Sequence, residues 1–282
     1  MRALARIVAE TDRRGGTRLA VLRGEAPLLL RRTGPHAGDG RVTVHLVGGA
    51  AGPLRGDDLR LEIDVGPGAR LDVRSVAASL ALPGRAEEPP SRLEIRAVVA
   101  EGGSLNWWPE PLIAAAGCHH LTVTDVRVAS GGALLWRDDL VCGRHGEPSG
   151  DVRTDTTVRH DGVTLYRHEL SVGSSAAGWS GAAVLGGGRA VGSVVLVGPS
   201  LPAAALLGGD AAIMPLAGPG MLATAVGADI RMVRAALDPI RMPEPAGTPV
   251  ADEAAACKST SESNAARPGA GPGRPVPAGP QR

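Results

Sequence analysis

Residues 58–68, DLRLEIDVGPG, alternate apolar and charged side chains over eight positions and then turn sharply. The apolar set is Leu59, Leu61, Ile63 and Val65, and a charged residue separates each member from the next. Successive side chains of a β-strand point to opposite faces, so this spacing predicts a strand with one buried face. The Gly-Pro-Gly sequence that follows favours a tight turn into another strand.

The same period of two recurs through the first two thirds of the chain. The further predicted strands contain Leu71 and Val73, Leu93 and Ile95, Leu121 to Val128, Val152 to Val158, and Val191 to Val197. Within Leu121 to Val128 the apolar spacing slips by one residue at Asp125, which predicts a β-bulge. We therefore expect an all-β dominated fold.

Three glycine-rich turns lead into similar strands and suggest an internal repeat. They begin at Gly66, Gly102 and Gly131, at intervals of about 30 residues. Such intervals are typical of solenoids and stacked hairpins, although glycine-rich turns also occur throughout ordinary antiparallel proteins. The sequence leaves both architectures open.

Helical patterns appear only near the C-terminal end. Asp229 can cap a helix with one apolar face, which Pro239 and Pro243 then end. That face consists of Ile230, Val233, Ala236, Leu237 and Ile240. A second, shorter helix is predicted over Leu201 to Leu207, entered through Pro202. Residues 1–242 would form the β-rich domain, and residues 243–282, rich in Pro, Gly, Ala and Ser, predict a disordered tail.

The bulk composition excludes several classes of protein. The chain has 282 residues, 43% of them hydrophobic, which is enough for a sizeable core. Aromatic residues make up 2% with no Phe, so the core must be mainly aliphatic. A net charge of +1 argues against binding to nucleic acid or to an anionic membrane. Prolines also interrupt the stretch from Ala190 to Ala228, which carries the single charge of Asp210, before it could span a bilayer.

Cysteine content and the N-terminal sequence predict a cytoplasmic protein. Cys118, Cys142 and Cys257 form neither a C-x-x-C pair nor a disulfide framework, as expected in a reducing compartment. The N-terminal sequence also has no long apolar core followed by a small-residue cleavage site, so a signal peptide is not expected.

The chemically densest stretch runs from Trp107 to Gly150. It contains thiol, imidazole and carboxylate groups, which together suit a transition metal such as nickel or zinc. Cys118 and His120 could share one strand face and bind a metal, or could form a simple polar pair at a strand start. Arg144 and Glu147 stand in a Gly-Arg-x-Gly-Glu turn, where they could pair with each other or present charge to a partner.

Adjacent Asp138 and Asp139 should point in opposite directions, and one of them could pair with Arg137. No nucleophile accompanies these carboxylates at an informative spacing. The Gly178–Ala182 sequence lacks the second glycine of a nucleophile elbow, and no phosphate-binding loop is present. The chain is therefore expected not to be an enzyme and to hold no tightly bound cofactor.

An ordered series of motifs runs through most of the chain. It begins with the stretch from Gly48 to Gly84 and continues through Trp108-Pro109-Glu110. The later landmarks are Trp136 to Arg144 with Gly146-Glu147, Tyr166 to Leu170, and the Ser180 to Gly188 turn. In this order the motifs resemble the UreD (UreH) family of urease accessory proteins, and the similarity covers about residues 3 to 240. This chain departs from the family pattern at Glu110-Pro111 and at Ala114 to Ala116.

This resemblance implies a β-helix-like stack of sheets with two helices and no catalytic activity. It also implies binding to UreF, and through UreF to the GTPase UreG. Together they would dock on apo-urease and support GTP-dependent nickel insertion, with a water-lined passage through the chain as the nickel route. Whether the chain dimerises within that complex is left open.

Transient passage of nickel requires ligands that also release it. Scattered carboxylates at Glu110, Asp139 and Glu147 suit that task better than a closed Cys/His cage. Cys118 and His120 are further candidates for transient contact with Ni²⁺.

Apolar surface for UreF is expected from the late helix and from the nearly uncharged stretch of Ala190 to Ala228. In the helix, Val233 and Leu237 are the predicted contacts. Arg144 is a third candidate contact for a partner.

Two other functions compete with this interpretation. One is a β-rich carbohydrate-binding module, although such sites usually rely on aromatic platforms that this chain lacks. The other is a metal-dependent hydrolase using Cys118, His120 and His145, which would hold its metal tightly and in stoichiometric amount.

Overall fold

A computed structural model describes residues 1–34 and 40–242. The predicted disordered tail, residues 243–282, lies outside the described residues. In the described part the regular secondary structure is almost all strand and is arranged as stacked sheets, which confirms the predicted fold class. Among the described residues, no helix combines the length and the apolar content that a membrane span needs.

The described residues contain eighteen strands and one helix. The first nine strands are β1 Arg2–Thr11, β2 Thr17–Arg23, β3 Leu28–Thr33, β4 Val42–Gly48, β5 Asp58–Val65, β6 Arg70–Ser75, β7 Ser79–Ala81, β8 Ser91–Val99 and β9 Ser104–Trp108. The remaining elements are β10 Leu112–Ala114, β11 His119–Val128, β12 Ala133–Val141, β13 Asp151–His160, β14 Val163–Val172, β15 Ala190–Val197, β16 Ala205–Gly208, β17 Ala211–Pro215, β18 Gly220–Gly227 and helix α1 Ile230–Leu237.

The described strands form a sheet of seven and a sheet of eleven. The smaller sheet has the order β14-β13-β11-β8-β5-β1-β2, and β1, β5, β8, β11 and β13 pair in parallel. The larger sheet runs β16-β17-β18-β15-β12-β9-β6-β4-β3, with β4, β6, β9 and β12 parallel, β10 beside β12, and β7 beside β10. The chain therefore passes repeatedly from one sheet to the other.

Each of the three glycine-rich turns carries the chain from the smaller sheet to the larger sheet, and the three turns lie one above another. The amide of Gly68 donates to the carbonyl of Glu101 at 3.3 Å, and the amide of Gly102 donates to that of Gly131 at 3.2 Å. Gly102 has a φ of +66°, a left-handed conformation that favours glycine. Stacked turns joined by hydrogen bonds are the geometry of a β-solenoid, so the sequence repeat is structural.

Aliphatic side chains from both sheets fill the main core, around one aromatic pair. The rings of Trp107 and Trp136 stack with centroids 4.8 Å apart, on neighbouring strands β9 and β12. The same buried cluster contains Ile7, Leu61, Leu71 and other aliphatic residues with almost no exposure.

The structure corrects two local predictions. Strand β11 pairs with β8 and β13 in unbroken register, so Asp125 marks no bulge. Residues Ala205–Gly208 form strand β16, paired with β17, where a second helix was expected. Asp229 caps the start of helix α1, as predicted: its carboxylate accepts a hydrogen bond from the amide of Arg231 at 2.8 Å.

Candidate functional site

A break in the larger sheet opens an interior cavity of about 600 Å³. Three residues separate the end of strand β6 from the start of β7, and three likewise separate β9 from β10. The residues in these two gaps, 76–78 and 109–111, are not paired as strands, and most of them line the cavity. Strand β12 runs uninterrupted beside the break and contributes Asp138 and Asp139 to the cavity wall.

The cavity reaches both faces of the larger sheet. Asp138 and Asp139 both line it, and as neighbours on β12 they point to opposite faces. Asp138 lies on the side that faces the smaller sheet, as Trp136 does, whereas Asp139 lies on the side covered by α1, as Arg137 does. We call this cavity the passage, with an inter-sheet end at Asp138 and a helix-side end at Asp139.

Asp138 is held at the inter-sheet end by two donors. Its Oδ2 accepts from Nε1 of Trp136 at 3.0 Å and from Oγ1 of Thr156 at 3.2 Å. Burial raises the pKa of Asp138 to about 6, although these two hydrogen bonds act in the opposite direction. This carboxyl group can therefore exchange a proton near neutral pH.

Polar side chains from the smaller sheet face Asp138 across the passage. His120 has both ring nitrogens occupied, with Ser91 Oγ 2.9 Å from Nδ1 and Thr122 Oγ1 3.0 Å from Nε2. Burial lowers the pKa of His120 to about 4, so the imidazole is neutral at physiological pH. His168 also lines the passage, and burial lowers its pKa as well.

Asp139 carries an unsatisfied oxygen at the helix-side end. Its Oδ2 accepts from Nε of Arg137 at 2.9 Å, whereas its buried Oδ1 has no hydrogen-bond partner among the described residues. Burial raises the pKa of Asp139, and the Arg137 guanidinium opposes that shift. A buried carboxylate oxygen without a donor is a ready ligand for a cation.

Glu110 lies at the mouth of the helix-side end and pairs with Arg234 of α1. Its backbone amide donates to Oγ of Ser75 at 2.8 Å, which fixes the loop between β9 and β10. Glu110 and Ala78 line both the passage and an outer groove of about 340 Å³. The Glu110–Arg234 pair therefore stands where the passage meets the surface.

The other predicted metal contacts lie apart from the passage. Cys118 is buried in a separate cluster, where burial raises its thiol pKa to about 11. Glu147 pairs with Arg144, whose Nε lies 2.8 Å from its Oε2, so these two charges satisfy each other. Within residues 1–34 and 40–242, no three His, Cys, Asp or Glu side chains gather closely enough to hold a metal ion.

The structure corrects the predicted role of Val233 and Leu237. Both side chains have no exposed surface, because they pack on β15 and β18 of this chain's own sheet. They are therefore not available to UreF. Arg144 is exposed and remains a predicted partner contact.

Three residues important to the passage were not singled out from the sequence. Arg234 gave no pattern that would separate it from surface residues, and His168 stood within the Tyr166 to Leu170 landmark with no role assigned to it. Thr156 had a detectable signal, since it lies with Thr154 at inward positions of a strand that would otherwise carry apolar residues. Polar residues at the buried positions of an alternating strand indicate a lined cavity.

Comparison with known proteins agrees with the resemblance. The family model described as UreD urease accessory protein matches residues 2–253. Urease accessory protein UreD 3 of Streptomyces griseus is 48% identical over 246 residues, covering 84% of this chain and 95% of the relative. Urease accessory protein UreD of a Parafrankia species is 42% identical over 262 residues, covering 84% and 87%. The protein of the same name from Streptomyces coelicolor is 44% identical over 243 residues, covering 84% and 94%. The chain therefore belongs to the UreD family of urease accessory proteins.

Proposed function

We propose that this urease accessory protein works in the cytoplasm as a maturation factor without catalytic activity of its own. It binds UreF, and through UreF the GTPase UreG, and the complex docks on apo-urease. The passage then carries nickel towards the urease active site during GTP-dependent insertion. Nickel is the cargo in this scheme and is bound only transiently.

One observation carries the proposal: a passage that crosses a sheet is lined by carboxylates on both faces. Asp138 serves the inter-sheet end, and Asp139 and Glu110 serve the helix-side end. Divalent cations accept such oxygen ligands, and the ligands are too scattered to trap the ion in a closed cage. Much of the remaining wall is aliphatic, contributed for example by Leu61, Leu93 and Leu140, and offers the ion no further ligand.

The hydrolase alternative has no support from the geometry. It requires Cys118, His120 and His145 to meet around one metal. His120 has both nitrogens occupied by hydroxyl groups, and Cys118 lies in a buried apolar cluster. His145 lies by the outer groove instead.

The test is urease maturation in a host whose own copy of this gene is deleted. The host carries urease, UreF and UreG, and it receives the wild-type chain, Asp139→Asn or Glu110→Gln. We expect each variant to lower the nickel content per urease active site, measured by mass spectrometry of the purified urease. The matched control is Glu87→Gln, which removes an exposed carboxylate outside the passage. Full nickel content with both passage variants would contradict the proposal.

A further inference from the structure

Helix α1 places two charged side chains against the helix-side end of the passage. Arg234 pairs with Glu110, and Asp238, at the end of the helix, accepts from Nη1 of Arg137 at 2.6 Å. Arg137 in turn contacts Asp139. Each carboxylate at this end is thus neutralised by an arginine, and both arginines are tied to the helix.

The helix is rigidly held, so its charges have fixed positions. Val233 and Leu237 of the helix are fully buried against the sheet. Gly192 of β15, which has no side chain, allows these two residues to lie close to the strand. A methyl group added at Gly192 would lie 2.6 Å from Cγ1 of Val233 and 2.5 Å from Oδ1 of Asp139. The helix, β15 and the unsatisfied carboxylate oxygen therefore share one tightly packed contact.

We propose that Arg234 is a positioning residue that holds Glu110 as an ion pair and thereby prevents the mouth of the passage from retaining a divalent cation. This inference rests on the proposed nickel route and adds the feature that sets its affinity. A guanidinium occupies the carboxylate when the ion is absent, so an entering ion must compete with it. A conduit needs this competition, because a ligand that binds too tightly stops transit.

The test measures binding of Ni²⁺ alone to the purified full chain by equilibrium dialysis. Arg234→Gln removes the competing charge and leaves Glu110 free, and we expect binding about two- to fivefold tighter than wild type, the range of an exposed ion pair. Arg234→Lys keeps the charge and should bind nickel as wild type does. Glu110→Gln with Arg234→Gln removes the freed ligand and should lose the gain.

The matched control for the helix is Arg231→Gln, which changes an exposed arginine paired with Asp229 outside the passage. It should leave nickel affinity unchanged. Thermal unfolding of each variant checks that the fold is retained, and Arg234 is only partly buried, which makes retention the expected result.

Two results would overturn the inference: Arg234→Gln binding nickel no more tightly than wild type, or a gain that persists when Glu110 is also changed. Neither result depends on urease. The dialysis experiment can therefore fail while the maturation experiment succeeds, and the reverse.

Discussion

Arg137 of strand β12 and Asp238 at the end of helix α1 are joined by a hydrogen bond of 2.6 Å across 101 residues of sequence. The same guanidinium lies 2.8 Å from Oδ2 of Asp139 and 4.7 Å above the ring of Trp108. Arg137 is buried, so its charge is balanced entirely within the protein. This residue links the sheet, the helix and the helix-side end of the passage.

Replacing Arg137 should therefore be costly. Arg137→Met leaves the buried carboxylate of Asp139 without its partner, and we expect a loss of about 3–5 kcal/mol in the free energy of unfolding. Urea denaturation followed by circular dichroism measures it. Adding Asp139→Asn removes the unpaired charge and should recover part of the loss. A single variant as stable as wild type would show that Arg137 does not balance a buried charge.

Leu237 should behave as a core residue and not as an interface residue. Leu237→Ala removes a fully buried side chain between α1 and the sheet, and we expect a loss of about 2–5 kcal/mol in unfolding free energy. Met232 on the same helix is 52% exposed, so Met232→Ala should change stability by less than about 0.5 kcal/mol. Equal effects of the two substitutions in thermal unfolding would contradict the packing described above.

The two titrating groups at the inter-sheet end should act on stability in opposite directions. Asp138 has a pKa of about 6 in the folded protein against an ordinary value of 3.8, so it favours the folded state at low pH and loses that effect as the pH rises through 6. His120 has a pKa of about 4 against 6.5, so it favours the folded state above pH 6.5 and loses that effect as the pH falls through 4. The two slopes oppose each other between about pH 4 and 6, where the two titration ranges overlap.

Removing either group should expose the slope of the other. Relative to wild type, Asp138→Asn should lose more stability on acidification from pH 6.5 to 4, and His120→Asn should lose less. Chemical denaturation at several pH values measures both. If Asp138→Asn follows the wild-type pH profile, the carboxyl pKa is not raised.

Much of the fold could be predicted from the sequence because the strands alternate clearly. The stretch from Leu59 to Val65 buries one face as its spacing indicates, and the three glycine-rich turns became stacked crossings. The prediction of a second helix is wrong because Leu201 to Leu207 has no apolar periodicity that would distinguish a helix from a strand. There, tertiary pairing of β16 with β17 determined the structure.

The site was less predictable because it depends on which residues face inward. Thr122 and Thr124 occupy inward positions on β11, whereas the outward positions hold Leu121 and Val123. Because apolar residues stand at outward positions in this part of β11, the sequence predicts a bulge there, although the pairing register of β11 with β13 is regular. The pairing of Arg234 with Glu110 spans 124 residues, and no local pattern predicts a contact of that kind.

Nickel content of urease matured with a blocked passage tests the central claim most directly. Ala78 is exposed and lines both the passage and the outer groove, so Ala78→Trp should fill the opening while leaving the core intact. Ala86→Trp adds the same side chain in an exposed turn outside the passage and serves as the control. With wild-type and variant chains recovered in equal amounts with UreF, we predict nickel-poor urease for Ala78→Trp and normal urease for Ala86→Trp. Urease with its full nickel complement from the Ala78→Trp strain would contradict transit through this chain.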